Sequence, residues 1–167
     1  ETKHEWMDEG FTTFISTLAE DEILEENKEF PMERSYNDYY RLALSGTEMP
    51  QSTNANRYEY NYAYENTAYD KGAVFLSQLG YIVGEDMLFK TLQEYFNEWK
   101  FKHPRPNDFR RIAERVSGIQ LQWYLTDWTQ TTNVIDYKVD KVDGDSGKTN
   151  VVLYRKGLMP MPLELLI

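Results

Sequence analysis

A glutamate near the start of the chain, Glu9, is the first residue whose setting suggests chemistry. It follows the apolar pair Trp6 and Met7 and precedes a Gly10–Phe11 step. Apolar residues then recur at the spacing that predicts an amphipathic helix with one face in a core: Phe11, Phe14, Ile15 and Leu18. A carboxylate in such a place either faces water or is buried, and a buried carboxylate must be paired or bound to a metal ion.

The residue pattern alone favours an ordinary role for this acid. Asp8 and Glu9 would then be first-turn acids that complement the positive end of a helix dipole. The alternative is that Glu9 is turned towards a partner or a metal ion.

Residues 6–11 read Trp-x-Asp-Glu-Gly-Phe, and this motif resembles the segment that carries the third zinc ligand in the aminopeptidase N family of metallopeptidases, the gluzincins. The resemblance implies that Glu9 is a zinc ligand. It also implies two histidine ligands upstream, in a His-Glu-x-x-His motif on a preceding helix. A carboxylate oxygen with two imidazoles is a catalytic zinc set that leaves the fourth position open for water.

A second block, residues 66–76, is similar to the Tyr-x-Lys-Gly-Ala segment of the same family. The resemblance implies that the Tyr69 hydroxyl donates a hydrogen bond to the oxyanion of the tetrahedral intermediate. From the residues alone, Tyr69 could equally pack its ring and expose its hydroxyl. Lys71 is expected to be structural and paired with an acid, and Gly72 could either lack a role or allow close packing behind the cleft. The order and separation of the two blocks suit the family, and the similarity continues to about residue 130.

The rest of a zinc-peptidase site is not found in the chain. The His-Glu-x-x-His motif, with its general-base glutamate, is absent, and the only histidines are His4 and His103. His4 lies far around a helix axis from Glu9, and His103 lies in a predicted loop. A zinc site of His4, Glu9 and His103 is conceivable but disfavoured, so the chain alone is not expected to hold catalytic zinc.

The composition excludes several classes of function. A formal charge of −10 in 167 residues argues against nucleic acid, because phosphate binding needs clustered Lys and Arg. No apolar run reaches the length of a membrane span, and the absence of cysteine leaves the redox compartment open. The first residue is Glu1 rather than Met, so we expect a fragment of a longer precursor. The resemblance implies that the missing part includes the N-terminal half of its own catalytic domain. Many family members act outside the cytoplasm, and the sequence itself does not fix the compartment.

The pattern along the chain predicts a mainly α fold. Apolar periodicity and helix stops predict helices over residues 6–26, 34–44, 67–83 and from 85 onward, then one with Asp108 as its N-cap that closes at Gly118, and a last one through residues 121–128. Alternating tyrosines (Tyr58, Tyr60, Tyr62 and Tyr64) favour a strand or extended loop with its rings on one side, either an edge of the core or a wall of the cleft. Period two returns at residues 134–142 and 151–154, around a turn in residues 143–147.

We therefore expect residues 1–133 to form the helical C-terminal half of a gluzincin catalytic domain and residues 134–167 to begin a truncated β domain. The resemblance implies a zinc-dependent aminopeptidase that removes N-terminal residues from peptide substrates, with an isolated fragment that is inactive. Two alternatives stay open: a metal-free peptidase-like binding or scaffold module, and a glycyl-aminopeptidase-like gluzincin. A His-Glu-x-x-His motif upstream would support the enzyme, and its loss would support the module.

Overall fold

The computed structural model describes residues 4–145 and 147–166. These residues fall into two compact units that are divided between Thr132 and Asn133. The first unit is helical and the second contains one antiparallel pair of strands. The predicted fold class, mainly α with a short β segment at the end, is confirmed.

The first unit is built from helices that the apolar periodicity largely predicted. Their bounds are α1 Glu5–Ile23, α2 Glu33–Ser45, α3 Asn61–Glu65, α4 Lys71–Val83, α5 Glu85–Trp99, α6 Pro106–Ser117 and α7 Gln122–Gln130, with a short 3₁₀ turn at Ala55–Arg57. Three of the helices end on glycines with positive φ, which are Gly46 at 73°, Gly84 at 90° and Gly118 at 73°. Glycine adopts this conformation without the steric cost that a Cβ imposes, so these stops could be read from the sequence.

Two helix ends differ from the prediction. Helix α1 ends at Ile23, and Ile23 and Leu24 expose 76% and 64% of their surface, so the prediction that they extend its apolar stripe is wrong. Only the first half of α1, as far as Phe14, contributes buried residues. Asp108 is not the N-cap of α6, because Pro106 takes the first helical position. Its carboxylate instead accepts the backbone N–H of Arg105 at 2.8 Å, as the third residue of a capping box does.

The strand predicted from the alternating tyrosines is also wrong. The backbone is extended at Tyr58 and Tyr60, but Tyr62 and Tyr64 lie on α3. Residues two apart on a helix point to different faces, so the four rings do not share one side. Tyr58 and Tyr64 pack edge to face with centroids 5.6 Å apart, whereas Tyr60 and Tyr62 are exposed.

An aromatic core lies beneath the first helix of this unit. Phe75 of α4 is at its centre, with ring centroids 5.1 Å from Trp6, 5.0 Å from Tyr124 and 6.3 Å from Phe109. The buried Tyr124 hydroxyl donates to the backbone carbonyl of Phe75 at 2.7 Å, which satisfies its polar end. This cluster fixes α4 between α1, α6 and α7.

In the second unit, β1 (Tyr137–Asp145) pairs with β2 (Lys148–Arg155), with Tyr137 opposite Arg155 and an irregularity between Val139 and Lys141. Of the turn predicted at residues 143–147, the first three residues belong to β1, Gly147 has a φ of 85°, and Ser146 lies outside the described residues. Across the described part of the chain, no helix combines the length and apolar character needed to cross a membrane.

Candidate functional site

The two residues singled out by the sequence lie where α1 meets the start of α4. Glu9 is half-buried on the first half of α1. Tyr69 exposes 37% of its surface and belongs to a π-helical turn, Asn66–Asp70, that joins α3 to α4. Both side chains belong to the first unit, and Tyr69 is open to solvent on one side.

The π-helical turn is a feature that the sequence did not predict. The backbone N–H of Lys71 donates to the carbonyl of Asn66, five residues back, so the turn carries one residue more than an α-helical turn. The Asn66 side chain donates a hydrogen bond to the Tyr62 carbonyl at 2.8 Å. This bond satisfies a backbone acceptor next to the π-helical turn. Helix α4 proper therefore starts at Lys71 rather than at Thr67. Single π-turns inside helices are frequent at functional sites.

The Tyr69 phenol lies close enough to the Glu9 carboxylate to feel its charge. Partial desolvation raises the pKa of the Tyr69 phenol, and a side-chain hydrogen bond to Glu9 together with the negative charge of Glu9 raises this pKa further. An ionised phenol could not donate to the carboxylate and would repel it, so the pair favours a protonated Tyr69. The structure thus brings the two predicted residues together and leaves Tyr69 a hydrogen-bond donor at neutral pH.

More phenols surround the same face of α1. Burial raises the pKa of Tyr64, and the charges of Glu5 and Glu9 raise it further. Burial likewise raises the pKa of Tyr58 to about 12. Within residues 4–145 and 147–166, neither Glu5 nor Glu9 forms an ion pair with Lys or Arg. Glu9 is therefore a half-buried carboxylate without an ion pair to Lys or Arg in this part of the chain.

The two histidines do not complete a metal site with Glu9. His4 immediately precedes α1, where its carbonyl accepts the Met7 N–H at 2.9 Å, and His103 is exposed between α5 and α6. No three His, Asp or Glu side chains in the described part of the chain are grouped so as to hold a metal ion. A catalytic zinc ion takes three protein ligands. Glu9 could therefore supply one carboxylate ligand to a catalytic zinc site, and two further ligands would have to come from elsewhere.

A buried ion pair supports the start of α4, and only Lys71 of the two partners was singled out in the sequence analysis. Lys71 Nζ lies 2.7 Å from Glu48 Oε1, and the two side chains expose 1% and 6% of their surface. The rings of Tyr39 and Trp128 lie 5.5 Å and 6.0 Å from the ammonium. Desolvation lowers the pKa of Lys71, and Glu48 opposes that shift. The ion pair joins the loop after α2, which carries Glu48, to the first residue of α4, Lys71, which comes two residues after Tyr69.

Comparison with known proteins gives one family. Residues 3–128 match the profile of the peptidase family M1 domain. The chain is 26% identical over 135 residues to aminopeptidase M1-D of Oryza sativa subsp. japonica, which covers 76% of this chain. It is 25% identical over 150 residues to aminopeptidase M1-B of the same plant, which covers 84% of this chain. A shorter match, 34% identical over 71 residues or 42% of this chain, is to aminopeptidase N of Streptomyces lividans.

These matches cover only part of each relative. The aligned chain spans 15% of aminopeptidase M1-D, 16% of aminopeptidase M1-B and 8% of the Streptomyces protein. No solved structure gives a significant match to the chain.

Proposed function

The chain belongs to peptidase family M1, and on that premise we propose that it forms part of the catalytic domain of a zinc-dependent aminopeptidase. In this proposal Glu9 is a zinc ligand and Tyr69 donates a hydrogen bond to the oxyanion of the tetrahedral intermediate. Residues 1–133 belong to the catalytic domain, and residues 134–167 begin a β domain. The substrates are peptides with a free N-terminus, an assignment that rests on the names of the relatives.

One observation carries the proposal: the helix that carries Glu9 contacts the turn that carries Tyr69, since a Cβ added to Gly10 would lie 3.0 Å from the carbonyl oxygen of Ala68. The charge of Glu9 accordingly raises the pKa of the Tyr69 phenol. Zinc, when bound, polarises the scissile carbonyl and lowers the pKa of a coordinated water. Glu9 forms no ion pair with Lys or Arg within residues 4–145 and 147–166, and a half-buried carboxylate of this kind is suited to bind a cation. Because Tyr69 is next to it, a carbonyl held at the metal would lie within reach of the phenol.

The protonation state of Tyr69 matches the role proposed for it. Stabilising a developing oxyanion requires a donor that is already oriented and already carries its proton. Desolvation and the Glu9 charge both raise the pKa of this phenol, so the proton is retained through the neutral range. The hydroxyl is exposed enough to meet a substrate, while the π-helical turn fixes its backbone.

The proposal is tested by the zinc affinity of a longer protein that contains this chain and the upstream residues. Glu9→Ala should weaken zinc binding by more than the roughly 10- to 100-fold that loss of an outer-sphere partner causes, because it removes a direct ligand. Metal analysis after equilibration in zinc buffers measures the change.

Asp8→Ala is the matched control, because it removes the same charge from an exposed position on the same turn of α1. It should leave the zinc affinity unchanged. If Glu9→Ala bound zinc as tightly as Asp8→Ala, Glu9 would not be a ligand. A wild-type longer protein with no zinc site would instead favour the metal-free binding module.

A further inference from the structure

Two glycines lie where α1 and α4 cross, and their backbones are in direct contact. A Cβ added to Gly10 would lie 2.5 Å from the Cα and 2.6 Å from the carbonyl carbon of Gly72. A Cβ added to Gly72 would lie 2.7 Å from the Cα of Gly10 and 3.0 Å from the carbonyl oxygen of Trp6. Carbon atoms normally approach no closer than about 3.5 Å. The crossing therefore has no room for a side chain on either helix.

Backbone conformation does not explain these glycines. Among the described residues, the glycines with positive φ are Gly46, Gly84, Gly118 and Gly147, and neither Gly10 nor Gly72 is one of them. Both lie inside helices, where glycine is less favourable than alanine. The two helices can approach this closely because neither position carries a side chain.

The crossing lies at the level of the proposed site. Gly10 directly follows Glu9, and Gly72 comes three residues after Tyr69, just beyond the π-helical turn. A Cβ on Gly10 would also lie 3.0 Å from the carbonyl oxygen of Ala68, the residue before Tyr69. The distance between the helix axes at the glycines therefore sets the distance between the Glu9 carboxylate and the Tyr69 hydroxyl.

The atoms that a methyl group would meet are backbone atoms, which cannot move aside alone. The neighbouring packing also resists adjustment, because Trp6 and Phe75 are fully buried against each other beside the crossing and the Lys71–Glu48 pair holds the start of α4. A methyl group would have to move α1 away from α4 by about 1 Å to restore ordinary carbon contacts.

We propose that Gly10 and Gly72 are positioning residues, which bring α1 and α4 close enough for Glu9 and Tyr69 to act on one substrate carbonyl. This inference rests on the proposed function for its consequence in catalysis, but its structural part concerns this chain alone. A displacement of about 1 Å between catalytic groups can lower a rate about 100-fold.

The test compares Gly72→Ala with Gly80→Ala, which adds the same methyl group to the same helix. A Cβ on Gly80 would meet the Cδ2 atom of the Leu88 side chain at 3.0 Å, and a side-chain end can turn away. In NMR spectra of this chain, Gly72→Ala should abolish the NOE between the Tyr69 ring and the Glu9 side chain. Gly80→Ala should retain this NOE.

The same two variants in the longer protein give the catalytic arm. Gly72→Ala should lower kcat about 100-fold with a smaller change in KM and with zinc retained, because the substrate still binds while the oxyanion donor is displaced. Gly80→Ala should stay within about twofold of wild type, as expected for a surface-like change. Retention of both the NOE and the wild-type kcat in Gly72→Ala would overturn the proposal.

Two further outcomes are decisive. If Gly72→Ala does not fold, the wild-type chain decides the structural part. An NOE between the α-protons of Gly10 and Gly72 supports the crossing, and its absence overturns the proposal.

If the wild-type longer protein neither binds zinc nor cleaves peptides, the proposed function fails. The NMR comparison still decides whether the glycines set the spacing of Glu9 and Tyr69.

Discussion

Replacing Tyr69 by phenylalanine should lower the kcat of a longer, zinc-loaded protein by roughly 100- to 1,000-fold, the loss that follows removal of one oxyanion donor. The substitution removes a single oxygen and keeps the ring, which exposes 37% of its surface and is not needed to fill the core. The zinc affinity should fall by no more than about 10- to 100-fold, the loss that follows removal of an outer-sphere partner, because the phenol is proposed to act beside Glu9 and not as a ligand itself. Steady-state kinetics on an aminoacyl anilide together with metal analysis give the result.

Tyr62→Phe is the control for this experiment. Tyr62 lies on α3, is exposed like Tyr69, and lies outside the proposed machinery. It should leave kcat within about twofold of wild type, as most surface substitutions do. A loss of zinc affinity as large as that of Glu9→Ala would assign the phenol to metal binding instead, and an unchanged kcat would remove it from the mechanism.

Replacing Lys71 by methionine should lower the free energy of unfolding by about 3–5 kcal/mol, the cost of leaving one member of a buried ion pair without its partner. Methionine keeps much of the side-chain volume, so the loss reports the charge rather than a cavity. All four tryptophans of the chain belong to the helical unit, so their fluorescence during urea unfolding follows the stability of that unit.

Three comparisons separate the buried pair from a general effect of losing a lysine. Lys90→Met removes an exposed charge from α5 and should change the stability by about 0.5 kcal/mol or less. The double variant Lys71→Met/Glu48→Leu should be more stable than Lys71→Met, because no charge is left buried. In Glu48→Gln, the free energy of unfolding should increase as the pH rises towards 10. Desolvation lowers the pKa of the buried Lys71, so the folded protein binds this proton less well than the unfolded chain does. A cost for Lys71→Met no larger than that for Lys90→Met would contradict the structural role of the pair.

The helices could be predicted from the sequence because their signals are local. Apolar periodicity and the glycines at 46, 84 and 118 mark helix bodies and ends through interactions within a few residues. The prediction failed where tertiary contacts decide. Ile23 and Leu24 fit the periodicity but extend past the part of α1 that packs, and two of the four alternating tyrosines, Tyr62 and Tyr64, lie on α3.

The residues of the candidate site were singled out by a different kind of signal. Glu9 and Tyr69 were singled out by short motifs, since no rule of local structure relates residues so far apart in the chain. Glu48 was missed as the partner of Lys71, because nothing in the turn-rich segment around it marks that acid as buried. The π-helical turn depends on hydrogen bonds that shift by one residue and leaves no clear compositional signal. The contact between Gly10 and Gly72 did have a signal, a glycine inside each of two predicted helices within three residues of a predicted site residue.

The central claim, that Glu9 and Tyr69 form one side of a zinc-peptidase site, is tested most directly by a crystal structure of the longer protein with data collected at the zinc absorption edge. We predict an anomalous peak about 2.0–2.2 Å from a Glu9 carboxylate oxygen, with the Tyr69 hydroxyl facing the open coordination position of the zinc ion. A zinc ion that is bound without Glu9, or from which the Tyr69 hydroxyl is turned away, would contradict this claim.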